Sequence, residues 1–178
     1  PKVGFDYLKK LGFSKLSEEY DVIQPLALGG ITYGVSDLAL TAAYAAIADG
    51  GQYRKPVFYT KVTDSKGNVL IDNTENKATQ VFKASTASLL TNVMEDVLEK
   101  GTGVAARLDN MHAAGKTGTT NEAKDLVFAG FTPYYTAAIW ATYDTHAEFP
   151  ESDREFHKRL WAKVMNEIHE GLADMDFE

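Results

Sequence analysis

Three strand-like runs stand back to back between positions 113 and 143, on links too short for a crossover. The first, Ala113-Ala114-Gly115-Lys116-Thr117-Gly118-Thr119-Thr120, has few strong helix formers. A polar turn from Asn121 to Asp125 leads to the second, Leu126 to Thr132, which Pro133 stops; the third is Tyr135 to Tyr143. Parallel neighbours need a connection of roughly a dozen residues or more, so these runs must pair as an antiparallel meander.

The flanking segments supply layers for that sheet. Ser36 is a good N-cap for a helix from Asp37 to Asp49, apolar nearly all round and stopped by Gly50-Gly51, so it should be buried. Ser85 to Lys100 predicts a second helix whose buried stripe is Leu89, Leu90, Val93, Met94, Val97 and Leu98, ended by Gly101. A last helix, about Asp153 to Glu170, places Phe156, Leu160, Trp161, Val164, Met165, Ile168 and Leu172 on one face. Leu8 to Phe13 reads as a helix end closed by Gly12, followed by a loop through Gln24-Pro25 to Gly29-Gly30. Val57 to Val62 and Val69 to Ile71 flank Asp64-Ser65-Lys66-Gly67-Asn68, which predicts a hairpin; Asn73 to Thr79 is a polar loop. Trp140 is expected in the core, and Asp174 to Glu178 as a solvated acidic tail. Helices around a meander give an α+β architecture, an antiparallel sheet packed by helices, within one unit over residues 1–178.

Charge and composition exclude several classes of partner. The net charge of −7 is offset by no Lys/Arg cluster, which argues against nucleic acid or a polybasic membrane contact. With no cysteine, disulfides, thiolate nucleophiles and Cys-based zinc sites are excluded together. The longest apolar stretch, Leu38 to Ala48, is too short for a bilayer, and Pro1 to Phe5 is no signal peptide, so any membrane anchor is expected outside this chain. His112, His146, His157 and His169 show no metal-ligand spacing, and each is expected to be a surface or hydrogen-bonded histidine.

The motifs sharpen the picture. Ala114-Gly115-Lys116-Thr117-Gly118-Thr119-Thr120-Asn121, followed by Lys124-Asp125-Leu126-Val127-Phe128-Ala129-Gly130-Phe131-Thr132-Pro133, resembles class A penicillin-binding proteins, the bifunctional peptidoglycan synthases. Two further blocks match in order: Leu28-Gly29-Gly30 with Gly34 to Leu40, Ala43-Tyr44-Ala45 and Asp49-Gly50-Gly51, then Gly101-Thr102-Gly103. Acyl-serine enzymes of this kind carry S-x-x-K, S-D-N and K-T-G, and only the third is here. No serine has lysine three places on, no Ser-x-Asn exists, and Thr63-Asp64-Ser65-Lys66 has threonine at the nucleophile's place. In the family both missing motifs lie upstream, so the chain is expected to be the C-terminal, incomplete portion of the penicillin-binding transpeptidase (serine β-lactamase-like) fold, inactive alone.

The resemblance implies a peptidoglycan D,D-transpeptidase that cross-links stem peptides through an acyl-serine, with no metal or organic cofactor. Implied partners are the stem peptides, the lipid-linked precursor and β-lactam antibiotics; an upstream glycosyltransferase domain and a membrane anchor place catalysis outside the bacterial cell membrane. It assigns the Thr117 and Thr119 hydroxyls to the substrate carboxylate, Lys116 to positive potential and the serine cluster, and Gly118 to room for the nucleophile's helix. The Thr119 N–H becomes an oxyanion donor, and Thr120 extends the substrate strand. The resemblance also implies strands before the serine motif beside Tyr135–Tyr143; without them this chain should present an unpaired edge and dimerise or be unstable.

Other readings of the same residues compete. Gly115-Lys116-Thr117 ends like a phosphate loop, but Asn110 stands where the first glycine belongs and a helix should follow Thr117. Gly101-Thr102-Gly103-Val104-Ala105-Ala106 fits G-x-G-x-x-A, yet a helix rather than a strand precedes it, so a helix C-cap turn is expected. A non-catalytic extracytoplasmic binding or scaffold module of the same fold is the remaining alternative.

Overall fold

The computed structural model describes residues 1–177. The meander forms as expected: β5 (Ala114–Thr119), β6 (Asp125–Phe131) and β7 (Thr136–Thr142) pair antiparallel in sequence order. Before it come α1 (Lys2–Lys10), α2 (Asp37–Ala48), β1 (Gln52–Tyr53), β2 (Lys61–Thr63), β3 (Val69–Asp72), β4 (Thr79–Gln80) and α3 (Ala84–Glu99); after it comes α4 (Phe156–Ile168). Register fixes the two faces of the sheet. Thr117 lies opposite Phe128 and Phe128 opposite Ile139, while Gly118, Val127 and Trp140 share the other face.

Helices cover both faces, and α3 contributes to each. On the second, Ile47 of α2, Met94 of α3, Ala114 and Phe131 form one cluster. On the first, Phe128 packs edge-on against Trp161 of α4, ring centroids 4.9 Å apart, with Leu98, Ala106 and Met165 around them. That packing requires glycine at two facing positions. A Cβ at Gly115 would lie 2.8 Å from the Phe128 ring, and one at its cross-strand partner Gly130 would lie 2.9 Å from both Phe128 and Trp161.

The local chemistry of several elements was foreseeable. Ser36 Oγ accepts from the Ala39 N–H at 3.2 Å and opens α2, which ends where Gly50 and Gly51 take positive φ. The β2–β3 hairpin turns because the Asp64 carboxylate accepts from the Lys66 and Asn68 N–H groups at 2.8 and 2.9 Å. Asp21, to which no expectation attached, is fully buried and accepts from the Ser17 N–H, from the Thr32 N–H and from the Thr32 hydroxyl, which ties down the loop ahead of α2.

Other expectations need correction. Residues 57–60 are not strand, and Phe58 is 83% exposed; the hairpin begins only at Lys61. Gln24–Leu28 winds into a 3₁₀ turn with Pro25 near its start, and β4 pairs with β1 where a loop was expected. Burial of α2 is one-sided, through Ala42, Ala43, Ala46 and Ile47. In α3 the covered side is Ala87, Thr91, Met94 and Leu98, while Leu89 and Val93 face solvent. In α4 it is His157, Lys158, Trp161, Ala162 and Met165, while Phe156, Leu160, Val164 and Ile168 are exposed. The expected stripes span more of each helix than one sheet face can cover, so a flank of each is left bare. Trp140 is 52% exposed, on the sheet face it shares with Gly118 and Val127. The acidic end is not a solvated tail: Phe177 packs on Phe131 and Asp174 accepts from the His112 N–H at 2.9 Å. Glu178, its last residue, lies outside the described residues.

Candidate active site

Residues 116 to 119 run extended along an outer strand, since β5 pairs only with β6 among the described residues. The Thr120 N–H donates to the Asp125 carbonyl at 3.1 Å, toward β6. Antiparallel alternation therefore turns the Thr119 and Thr117 main-chain groups the other way, off the open edge. Lys116 is exposed and its ammonium curls round that edge, 3.0 Å from the Thr117 carbonyl and 3.4 Å from its hydroxyl. Over Gly118 the space is free: an added Cβ would meet only Val127, at an ordinary 3.4 Å. Lysine, hydroxyls and outward N–H groups thus meet at one margin, a set able to bind a carboxylate.

Two supports hold this strand, one of them built on a turn that the sequence marks only as the end of α3. The first is the Gly101–Gly103 turn. The Thr102 and Thr117 hydroxyls lie 2.8 Å apart, and Lys158 of α4, its side chain buried, donates to the Thr102 carbonyl at 3.0 Å and to Glu155 at 2.6 Å. The second closes the β5–β6 loop. The Thr120 hydroxyl donates to the Asp125 carboxylate at 3.0 Å and accepts the Asp125 N–H at 2.8 Å, while Trp140 Nε1 donates to the other carboxylate oxygen at 3.0 Å. Burial pushes the Asp125 pKa up, but the hydrogen bonds from Trp140 and Thr120, helped by nearby His146, win and hold it below the usual carboxylate value. The spacing of Thr120 and Asp125 across a polar turn was the one available sign; Trp140 and Lys158 carried none.

The rival sites dissolve. After Thr117 the chain stays extended to Thr119 and then reverses at Asn121–Ala123, so no helix opens on an anion and the phosphate-loop alternative falls. Gly101-Thr102-Gly103 does follow α3 as its terminating turn, with the Gly103 N–H on the Val97 carbonyl at 2.8 Å. No group of three metal-ligating side chains occurs among the described residues. Ser65 sits in the β2–β3 turn. His112 pairs with Asp174, His146 is exposed, and His169 bridges the Thr132 hydroxyl and the Met165 carbonyl. His157 departs from expectation: it is buried with neither ring nitrogen partnered, and burial lowers its pKa.

Comparison with known proteins gives this geometry a context. A family model described as penicillin binding protein transpeptidase domain matches residues 4–169. Penicillin-binding protein 1A of Clostridium perfringens (strain 13 / Type A) is 36% identical over 144 residues, 81% of this chain and 20% of its own length. Penicillin-binding protein 4 of Bacillus subtilis (strain 168) is 39% identical over 141 residues, 79% of this chain and 22% of its own. The chain therefore spans about a fifth of the curated relatives it matches. The solved structure of the PonA1 protein from Mycobacterium tuberculosis in complex with penicillin V superposes with a TM-score of 0.81 at 24% identity, over 96% of this chain and 50% of that one. Penicillin-Binding Protein 1A from Haemophilus influenzae gives 0.76 at 18% identity, over 97% and 31%. At such identities the superpositions speak for the fold.

Proposed function

Because the chain belongs to the penicillin-binding protein transpeptidase family, we propose that the protein carrying it is a peptidoglycan D,D-transpeptidase of the bifunctional class. In this reading residues 1–178 are the C-terminal portion of the transpeptidase domain, and the S-x-x-K serine and S-x-N motif lie upstream. A glycosyltransferase domain and a membrane anchor would complete the protein, with catalysis outside the cytoplasmic membrane. The single observation that supports this most is the open margin of β5, where the Lys116 ammonium lies against the Thr117 carbonyl and hydroxyl and the Thr117 and Thr119 main-chain groups turn away from β6.

The chemistry assigned to these groups follows from the substrate. A stem peptide ending in D-Ala-D-Ala presents a carboxylate, which Thr117 and Thr119 bind by hydroxyl donation while Lys116 supplies positive potential. Thr120 extends the strand along the peptide. The upstream serine attacks the amide carbonyl, the D-Ala amine leaves, and an amine from another stem peptide later takes the acyl group. The Thr119 N–H donates to the oxyanion that forms between, a contribution whose loss typically lowers the rate by roughly a hundred- to a thousandfold. The serine's helix would lie over the row Gly118, Val127 and Trp140, where Gly118 has free space above it and Trp140 is half exposed. β-Lactams present the same carboxylate and carbonyl and would be acylated there.

Fluorescent penicillin tests this reading on the intact protein. Covalent labelling that a Lys116→Ala variant abolishes is the expected result. An intact protein that takes no label would be the non-catalytic module instead.

A further inference from the structure

Resting on the transpeptidase reading, we infer that Thr102 is a positioning residue for the substrate carboxylate, acting through a hydroxyl relay to Thr117. The two hydroxyls stand 2.8 Å apart. A threonine hydroxyl has a single proton to donate. If Thr117 spends it on Thr102, none is left for a ligand. What surrounds Thr117 decides the direction. The Lys116 ammonium, 3.4 Å from Thr117 Oγ1, is donor only, so it draws the oxygen's lone pairs and turns the Thr117 proton elsewhere. An anion at the open edge then draws that proton outward, and the Thr102 O–H fills the place behind it. The order is Thr102 to Thr117 to carboxylate, each bond polarising the next.

Thr102 is held where this relay needs it. A Cβ at Gly101 would lie 2.8 Å from Val97 Cα, and one at Gly103 would lie 3.0 Å from a Val97 methyl. Glycine on both sides therefore lets the turn press flat on the last turn of α3. From the opposite side the buried Lys158 ammonium, balanced by Glu155, grips the Thr102 carbonyl at 3.0 Å. A lysine is rarely this buried unless its charge is paired, and here a second of its three donors is spent on fixing one turn.

The test measures the second-order rate of acylation of the intact protein by fluorescent penicillin. The deciding pair is Thr102→Ser and Thr102→Ala, which differ by one oxygen. The serine variant should label within about twofold of the unmodified protein, and the alanine variant roughly three- to tenfold more slowly, the worth of one net hydrogen bond. The loss should vanish in a Thr117→Val background, because the relay then has no second member; a merely structural role would instead multiply. Melting temperature guards against misfolding. Equal labelling of the serine and alanine variants, or independent effects of positions 102 and 117, overturns the relay and leaves the transpeptidase reading standing. An unmodified protein that takes no label overturns that reading, and the relay with it.

Discussion

At the scale of single residues, Asp125 does the most for the geometry of β5 without touching its open edge. It binds Thr120 in both directions and receives the indole of Trp140, so the end of the strand is clasped at the residue after Thr119. Asp125→Ala leaves those donors to water, and we expect a loss of about 1–2 kcal/mol in a urea melt of this chain, with Asp125→Asn recovering part of it. The clasp also carries a pH signature. Its folded pKa lies below the unfolded value, so the unfolded chain binds more protons across that window. The contribution is therefore complete above the usual aspartate pKa and is lost as pH falls through the folded one. Melts between pH 6 and pH 3 should show the Asp125→Asn variant losing less stability than the parent; parallel curves would count against the clasp.

At the scale of elements, what could be foreseen from sequence was local and what could not was relational. The Asp64 turn, the Ser36 cap and the Gly50-Gly51 stop each follow from a residue's own conformational chemistry, and each is where it was expected. The extended course of Lys116–Thr119 was equally legible, because the segment holds few strong helix formers and its β-branched threonines suit a pleated strand. Trp140, the bare flank of α4 and the docked C-terminal segment were not, because which side of an element is covered depends on what reaches it. The same holds for Lys158, whose role needs α4 laid beside a turn over fifty residues earlier. The docked segment yields its own expectation. His112 is raised in pKa, first by its hydrogen bond with Asp174 and also by the charge of Asp176, so that contact is complete below the ordinary histidine pKa and fades as pH rises through the folded one. Amides of residues 173–177 should exchange faster at pH 8.5 than at pH 6 after correction for intrinsic rates, and His112→Ala should flatten the difference. The Phe131–Phe177 contact and the bond from the Tyr134 hydroxyl to the Ala173 carbonyl persist throughout, so the segment loosens without leaving.

At the scale of the whole molecule, the sheet stops abruptly. β7 pairs only with β6 among the described residues, and Phe156, Leu160, Val164 and Ile168 of α4 are exposed on one of its flanks. An open strand and a bare helix flank both invite a second chain. Residues 1–178 alone should therefore self-associate in sedimentation experiments, and Val164→Glu should weaken that association. A monomer with slowly exchanging β7 amides would refute this. The ledge over Gly118 makes a subtler demand. Nothing in this chain forbids a methyl group there, for its one neighbour would be Val127 at a comfortable distance. Gly118→Ala should leave the melting curve of residues 1–178 within about 0.5 kcal/mol of the parent, yet should stop penicillin labelling of the intact protein. Such a split would mean that position 118 answers to a tenant rather than to its own house: the smallest side chain is kept for the sake of a neighbour that this stretch of polypeptide does not encode.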